Sequence, residues 1–115
     1  MLVTIFHNPK CSKSRQTLQL LEEQGITPVI IKYLEAPPSV ETLKEILSQL
    51  GLSPRELMRK KETEYSALDL DNSSLSDEDL IAFMAQHPIL IERPIVLANG
   101  KAALGRPPEQ VLDIL

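Results

Sequence analysis

Cysteine is almost missing from this chain. Cys11 is the only one in 115 residues, so no disulfide can form within the chain, and a reducing compartment is expected. Tryptophan is absent and aromatic residues make up 3% of the sequence, so the core must be built mostly from Leu, Ile and Val. No apolar run approaches the ~20 residues that span a bilayer. The N-terminal stretch MLVTIFHNPK lacks the basic start, long apolar centre and small-residue cleavage site of a signal peptide, and the cytoplasm is the expected location. The net charge of −4 offers no general basic face, which argues against nucleic acid as a partner. His7 and His87, far apart in sequence, and one cysteine do not make a metal site, so no bound metal or cofactor is expected.

What is present fits one globular domain over residues 1–115, with 43% hydrophobic and 24% charged residues. LVTIF (Leu2–Phe6) reads as a short buried strand, interrupted by Asn8-Pro9. A helical pattern runs from Ser12 to Gln24, with Leu18 and Leu21 on one face and Gly25 as a left-handed stop. TPVIIKYL is apolar at consecutive positions and is expected to be a strand buried on both faces. This strand, helix and strand make a right-handed parallel unit.

Ser39 caps the next helix, whose Leu43, Ile46, Leu47 and Leu50 follow helical spacing as far as Gly51. SPRE is a capping box, and its short helix is expected to reach about Lys61, with Arg59 near the end. Residues 62–75 read as irregular, apart from a partial turn near Tyr65. Ser76 caps another helix, with Asp77, Glu78 and Asp79 in its first turn and Pro88 as its stop. RPIVLANGKAAL reads as a hairpin turning at Asn99-Gly100, and a short helix begins near Pro107. The order predicts an α/β fold: a thioredoxin/glutaredoxin-like mixed sheet with flanking helices and an inserted helical segment.

The stretch HNPKCSKSR concentrates the chemistry. A lone cysteine is often a small buried hydrophobe. Cys11, however, lies in a turn directly before a helix, whose free N–H groups and partial positive charge favour a thiolate. Lys10, Lys13, Arg15 and His7 bring further charge or donors, so a reactive thiol is favoured. The same helix start, with Ser14 and Arg15, is a candidate anion cradle. Arg93 and Arg106 each precede a proline that fixes the backbone, which suits bidentate oxyanion binding. A thioredoxin-like fold places a cis-proline at Pro94, opposite the cysteine, so Arg93 is expected to project toward Cys11. Arg55, Lys60 and Lys61 read as solvated. His7 is balanced between a core role and one of orienting the loop, and His87 reads as a helix-end contact.

Taken together, HNPKCSKSR (an H-x3-C-x3-R loop), YLEAPPS, LMRKKE, HPILIERPIV and LGRPPE resemble the glutaredoxin-coupled arsenate reductases of the ArsC type, especially their shorter YfgD-like relatives. The resemblance covers nearly the whole chain. It implies that Cys11 is the catalytic nucleophile, that Arg59, Arg93 and Arg106 bind the substrate, and that His7, Ser14 and Arg15 support the thiolate loop. It also implies arsenate or a similar oxyanion as substrate, glutathione as co-substrate and glutaredoxin as partner. The better-known reductases of this type extend further at the C-terminus, whereas this chain stops at Leu115 with the matched residues in place. Cys11 has no second cysteine with which to complete a two-electron reduction. One outside thiol must attack the arsenic adduct, and another must regenerate Cys11.

Two other readings remain open on the residues. A glutathione-dependent thiol oxidoreductase acting on another substrate would also use Cys11, and the arginines could receive a glutathione carboxylate. A non-enzymatic Spx-like regulator would need a C-x-x-C pair, but Ser14 stands where its second cysteine would be.

Overall fold

The computed structural model describes residues 2–115, and its elements fall into two compact units, one of residues up to Ala36 with Arg93–Leu115, the other of Pro37–Glu92. The first unit contains β1 (Val3–His7), α1 (Ser12–Glu23), β2 (Val29–Lys32), β3 (Ile95–Ala98), β4 (Lys101–Leu104) and a closing 3-10 helix at Pro108–Ile114. Its four-stranded sheet has the order β2-β1-β3-β4. β1 runs parallel to β2, with Ile5 opposite Ile30, and antiparallel to β3, with Ile5 opposite Val96. β3 and β4 form the expected hairpin. Its turn residues Asn99 and Gly100 have φ of 55° and 71°, the left-handed pair that matches the twist of a tight hairpin.

Val3, Ile5, Leu21, Val96, Ala98, Val111 and Ile114 form the core of this unit, with Leu18, Leu20 and Ala103 packed against it. α1 reaches this core through Leu21, which is wholly buried, a burial that contributes about 2 kcal/mol. Gly25 ends the α1 turn at φ 77°. The C-terminal 3-10 helix packs against α1 and β4, and Asn99 Nδ2 donates to the Ile114 carbonyl at 2.9 Å.

β2 departs from its expected burial on both faces. It lies at the sheet edge, paired with β1, and Val29 and Ile30 are 48% and 46% exposed. An apolar run shows strand propensity but does not say how many layers cover the strand.

The second unit contains α2 (Val40–Leu50), α3 (Pro54–Leu57), α4 (Thr63–Ala67), α5 (Asp77–Gln86) and a 3-10 turn at Pro88–Leu90. The caps fall where the sequence puts them. Ser39 accepts the Thr42 N–H, Gly51 closes α2 at φ 70°, and Ser53–Glu56 and Ser76–Asp79 form reciprocal capping boxes. Leu43, Ile46, Leu47, Leu80, Ile81 and Met84 are buried.

Two expectations fail between Leu57 and Ala67. α3 stops at Leu57 instead of reaching Lys61, because Met58 turns extended and forms a bridge with Ile91. The Leu57 carbonyl accepts the Glu92 N–H at 2.8 Å, and the Arg59 N–H donates to the Leu90 carbonyl at 2.7 Å. Pairing with a distant segment thus replaces the next helical turn. Thr63–Ala67, where no more than a partial turn near Tyr65 was expected, forms the full helix α4 and buries Tyr65. Arg55 is not simply solvated: its Nε and Nη2 donate to the carbonyls of Leu70 and Asn72 at 3.2 and 2.7 Å.

Candidate active site

Cys11 sits at the junction of β1's loop and α1. Its extended backbone (φ −95°, ψ 125°) makes it the N-cap of α1, and its carbonyl accepts the Arg15 N–H at 3.0 Å. The loop before it is tied at both ends of Asn8. The Asn8 carbonyl accepts the Cys11 N–H, and Asn8 Oδ1 accepts the Lys10 N–H, each at 3.0 Å. Cys11 is 8% exposed and free of any disulfide.

Ser14 locks this loop from below. It is completely buried, its Oγ accepts the Asn8 N–H at 3.0 Å, and the same Oγ lies 2.6 Å from His7 Nδ1. The serine hydroxyl has one proton. It also has two lone pairs, so with the Asn8 N–H donating to Oγ it can either donate that proton to His7 Nδ1 or accept one from it. Burial first, then the positive Lys32 and Arg15, lower the His7 pKa from its ordinary value, which favours the neutral ring. His7 therefore enters the loop as a buried hydrogen-bond partner whose charged form is disfavoured. Arg15 is exposed and folds back so that Nη1 donates to the Pro9 carbonyl at 2.9 Å. Lys10 and Lys13 are exposed.

One arginine is placed beside the thiol, and a second meets the first. Arg106 Nη2 approaches Cys11 Sγ to 3.7 Å, and Arg106 Nε donates to the Arg93 carbonyl at 2.7 Å. Both Arg93-Pro94 and Arg106-Pro107 are cis peptides; only the first was expected. Arg93 thus meets Arg106 through its main chain, and its own Nε is shielded from solvent. Arg59 belongs to the second unit. It is not at a helix end, and its Nε and Nη1 each meet a carboxylate at 3.0 Å, Glu62 and Glu92.

A guanidinium beside a cysteine sulfur at a helix start, with a second arginine bonded to the first, can hold a tetrahedral anion next to a nucleophile. The sequence model of the ArsC family matches residues 6–114. The chain belongs to the ArsC family. An arsenate reductase of Neisseria meningitidis is 54% identical over 114 residues, covering 98% of this chain and 97% of that one. YfgD of Escherichia coli, described as uncharacterized, is 58% identical over 114 residues, covering 98% of this chain and 96% of its own. The solved structure of an arsenate reductase from Vibrio cholerae matches with a TM-score of 0.98 and 64% identity, covering 100% of this chain and 98% of that one. The mixed sheet with flanking helices is accordingly the thioredoxin-like fold of the ArsC family.

Several contacts in this ArsC-family loop were not visible as such in the sequence. Asn8 acts twice, through its carbonyl and its side chain, and the Asn-Pro pair signals only a turn. Gly105 was not legible either, because nothing in LGRPPE shows that its one glycine is there for space. Among the described residues no group of three His, Cys, Asp or Glu side chains could hold a metal ion, and no helix is long and apolar enough to cross a membrane.

Proposed function

We propose that this ArsC-family chain is an arsenate reductase whose nucleophile is Cys11. The observation that carries the reading is the 3.7 Å approach of Arg106 Nη2 to Cys11 Sγ at the start of α1. Arg106 and Arg93 supply guanidinium donors for the oxyanion, and the first turn of α1 adds backbone N–H groups. Arg59 is the third anion ligand implied by the resemblance. Its guanidinium is already oriented by Glu62 and Glu92. His7 and Ser14 hold the loop, and Arg15 braces it through the Pro9 carbonyl. Both units are taken as one working domain, a reading supported by the family match over residues 6–114.

The Cys11 thiolate attacks arsenic, one arsenate oxygen leaves as water, and a sulfur–arsenic bond forms. Reduction then takes two electrons. Cys11 has no cysteine partner in this chain. Two outside thiols therefore supply the electron pair and leave joined as a disulfide, while arsenic falls to the trivalent state and arsenite is released with Cys11 as a free thiol. Glutathione as co-substrate and glutaredoxin as partner fit this requirement, in the cytoplasm where thiols stay reduced.

Arsenate protection of Cys11 from iodoacetamide tests the docking step. Arsenate should slow alkylation of the wild type in a saturable way. Arg93→Ala and Arg106→Ala should each weaken the protection by about tenfold to a hundredfold, the loss expected for a charge-assisted hydrogen bond. Equal protection in all three proteins would remove the anion assignment.

A further inference from the structure

Gly105 has no need of glycine's backbone freedom, since its φ lies outside the left-handed region. What it lacks is room. A Cβ built there would collide with Thr17 Oγ1, come within 2.6 Å of Pro94 Cγ and 3.1 Å of Thr17 Cγ2. Neither neighbour yields easily. Thr17 is β-branched, wholly buried in α1, and its Oγ1 is engaged with the Lys13 carbonyl at 2.8 Å. Pro94 Cγ belongs to a closed ring that is itself buried.

The same corner of chain sets the arginine. The Gly105 N–H donates to the Pro94 carbonyl at 3.0 Å, and one residue later Arg106 Nε donates to the Arg93 carbonyl at 2.7 Å. The Gly105–Arg106 corner is therefore hydrogen-bonded along Arg93-Pro94 and seated directly on Thr17 of α1. That helix begins at Cys11. The contact between Gly105 and Thr17 thus fixes how far the Arg106 backbone stands from the helix that carries the thiol.

We propose that Gly105 and Thr17 act as a paired spacer that sets the distance between Arg106 and Cys11, making both positioning residues of the thiol chemistry. This rests on the reading of Arg106 as the arginine that serves Cys11. With the spacer intact, the long Arg106 side chain spans from its tether on the Arg93 carbonyl to Cys11 Sγ. A methyl group at residue 105 lifts the corner off α1 and moves the guanidinium away from the sulfur, while leaving every group that touches substrate chemically unchanged.

The test is a double-mutant cycle on the full chain, read as kcat/KM for arsenite formation and, separately, as Tm. Gly105→Ala should lower kcat/KM by about fivefold or more in the wild-type background and by less than about twofold in the Arg106→Ala background. Its Tm shift should be the same in both backgrounds, since any general packing damage does not need Arg106. Thr17→Ala removes the other half of the spacer and should show the same dependence on Arg106; it decides the matter if Gly105→Ala does not fold. Equal losses of kcat/KM in both backgrounds would overturn the spacer while leaving the role of Arg106 intact. If Arg106→Ala alone leaves kcat/KM within about twofold of wild type, the reading of Arg106 fails and the spacer with it.

Discussion

Replacing Ser14 by alanine should destabilise the protein far more than loss of one hydroxyl suggests. Ser14 is completely buried, and its Oγ serves two partners, the Asn8 N–H at 3.0 Å and His7 Nδ1 at 2.6 Å. Alanine fills nearly the same space, so cavity formation contributes little. The cost comes from leaving polar groups without partners. Each buried unsatisfied group costs about 1–3 kcal/mol, and His7 is 6% exposed while Asn8 is half-buried. A total of about 2–4 kcal/mol follows if neither group finds another partner. For a chain of this length that is a fall in Tm of roughly 8–15 °C.

Urea titration at neutral pH measures this directly, with an unchanged m-value confirming that the transition itself is the same. Ser12→Ala is the control, an exposed serine in the same turn, and should stay within about 0.5 kcal/mol of wild type. Adding His7→Phe to Ser14→Ala should cost less than the sum of the two single changes, because the orphaned ring nitrogen disappears with the imidazole. A loss below about 0.5 kcal/mol for Ser14→Ala would refute the claim that this hydroxyl locks the loop.

Other expectations follow from the same geometry. His7 has a lowered pKa in the fold, through burial and then Lys32 and Arg15, so the unfolded chain binds its proton more readily. Its contribution to stability is complete above the ordinary value of 6.5 and is lost as pH falls from there toward the folded pKa. Urea midpoints should therefore fall between about pH 7.5 and about pH 5.5, and fall less in His7→Gln; an equal fall in both proteins contradicts the assignment. Tyr65 is buried, and its hydroxyl donates to Asp71 Oδ1 at 2.7 Å. Tyr65→Phe should cost about 1–2 kcal/mol by urea unfolding without changing arsenate reduction, and a loss of activity at unchanged stability would point to a role outside packing.

The sequence revealed the local devices and missed the long-range ones. Ser39, Gly51, Ser53, Ser76 and the Asn99-Gly100 turn were all legible, because a cap or tight turn is decided by residues within four of one another. α3 was overextended because the backbone beyond Leu57 is recruited by Leu90, Ile91 and Glu92, some thirty residues on, and no local pattern records that pairing. The edge position of β2 was hidden for the same reason: strand order is a property of the whole sheet. In the site, Cys11 at the helix start was readable from one short stretch. Its meeting with Arg106, 95 residues away, came through the family resemblance and is given its distance only by the fold. Ser14 stood in the quoted loop, but its hydrogen bonds with Asn8 and His7 depend on burial, which a sequence does not state.

The central claim is that Cys11 is the sulfur through which arsenate is reduced. Its most direct test is arsenite formation from arsenate with glutathione and glutaredoxin, measured for the wild type and Cys11→Ser side by side. The account predicts steady turnover by the wild type and only the background rate for Cys11→Ser. Equal turnover by the two proteins would contradict it.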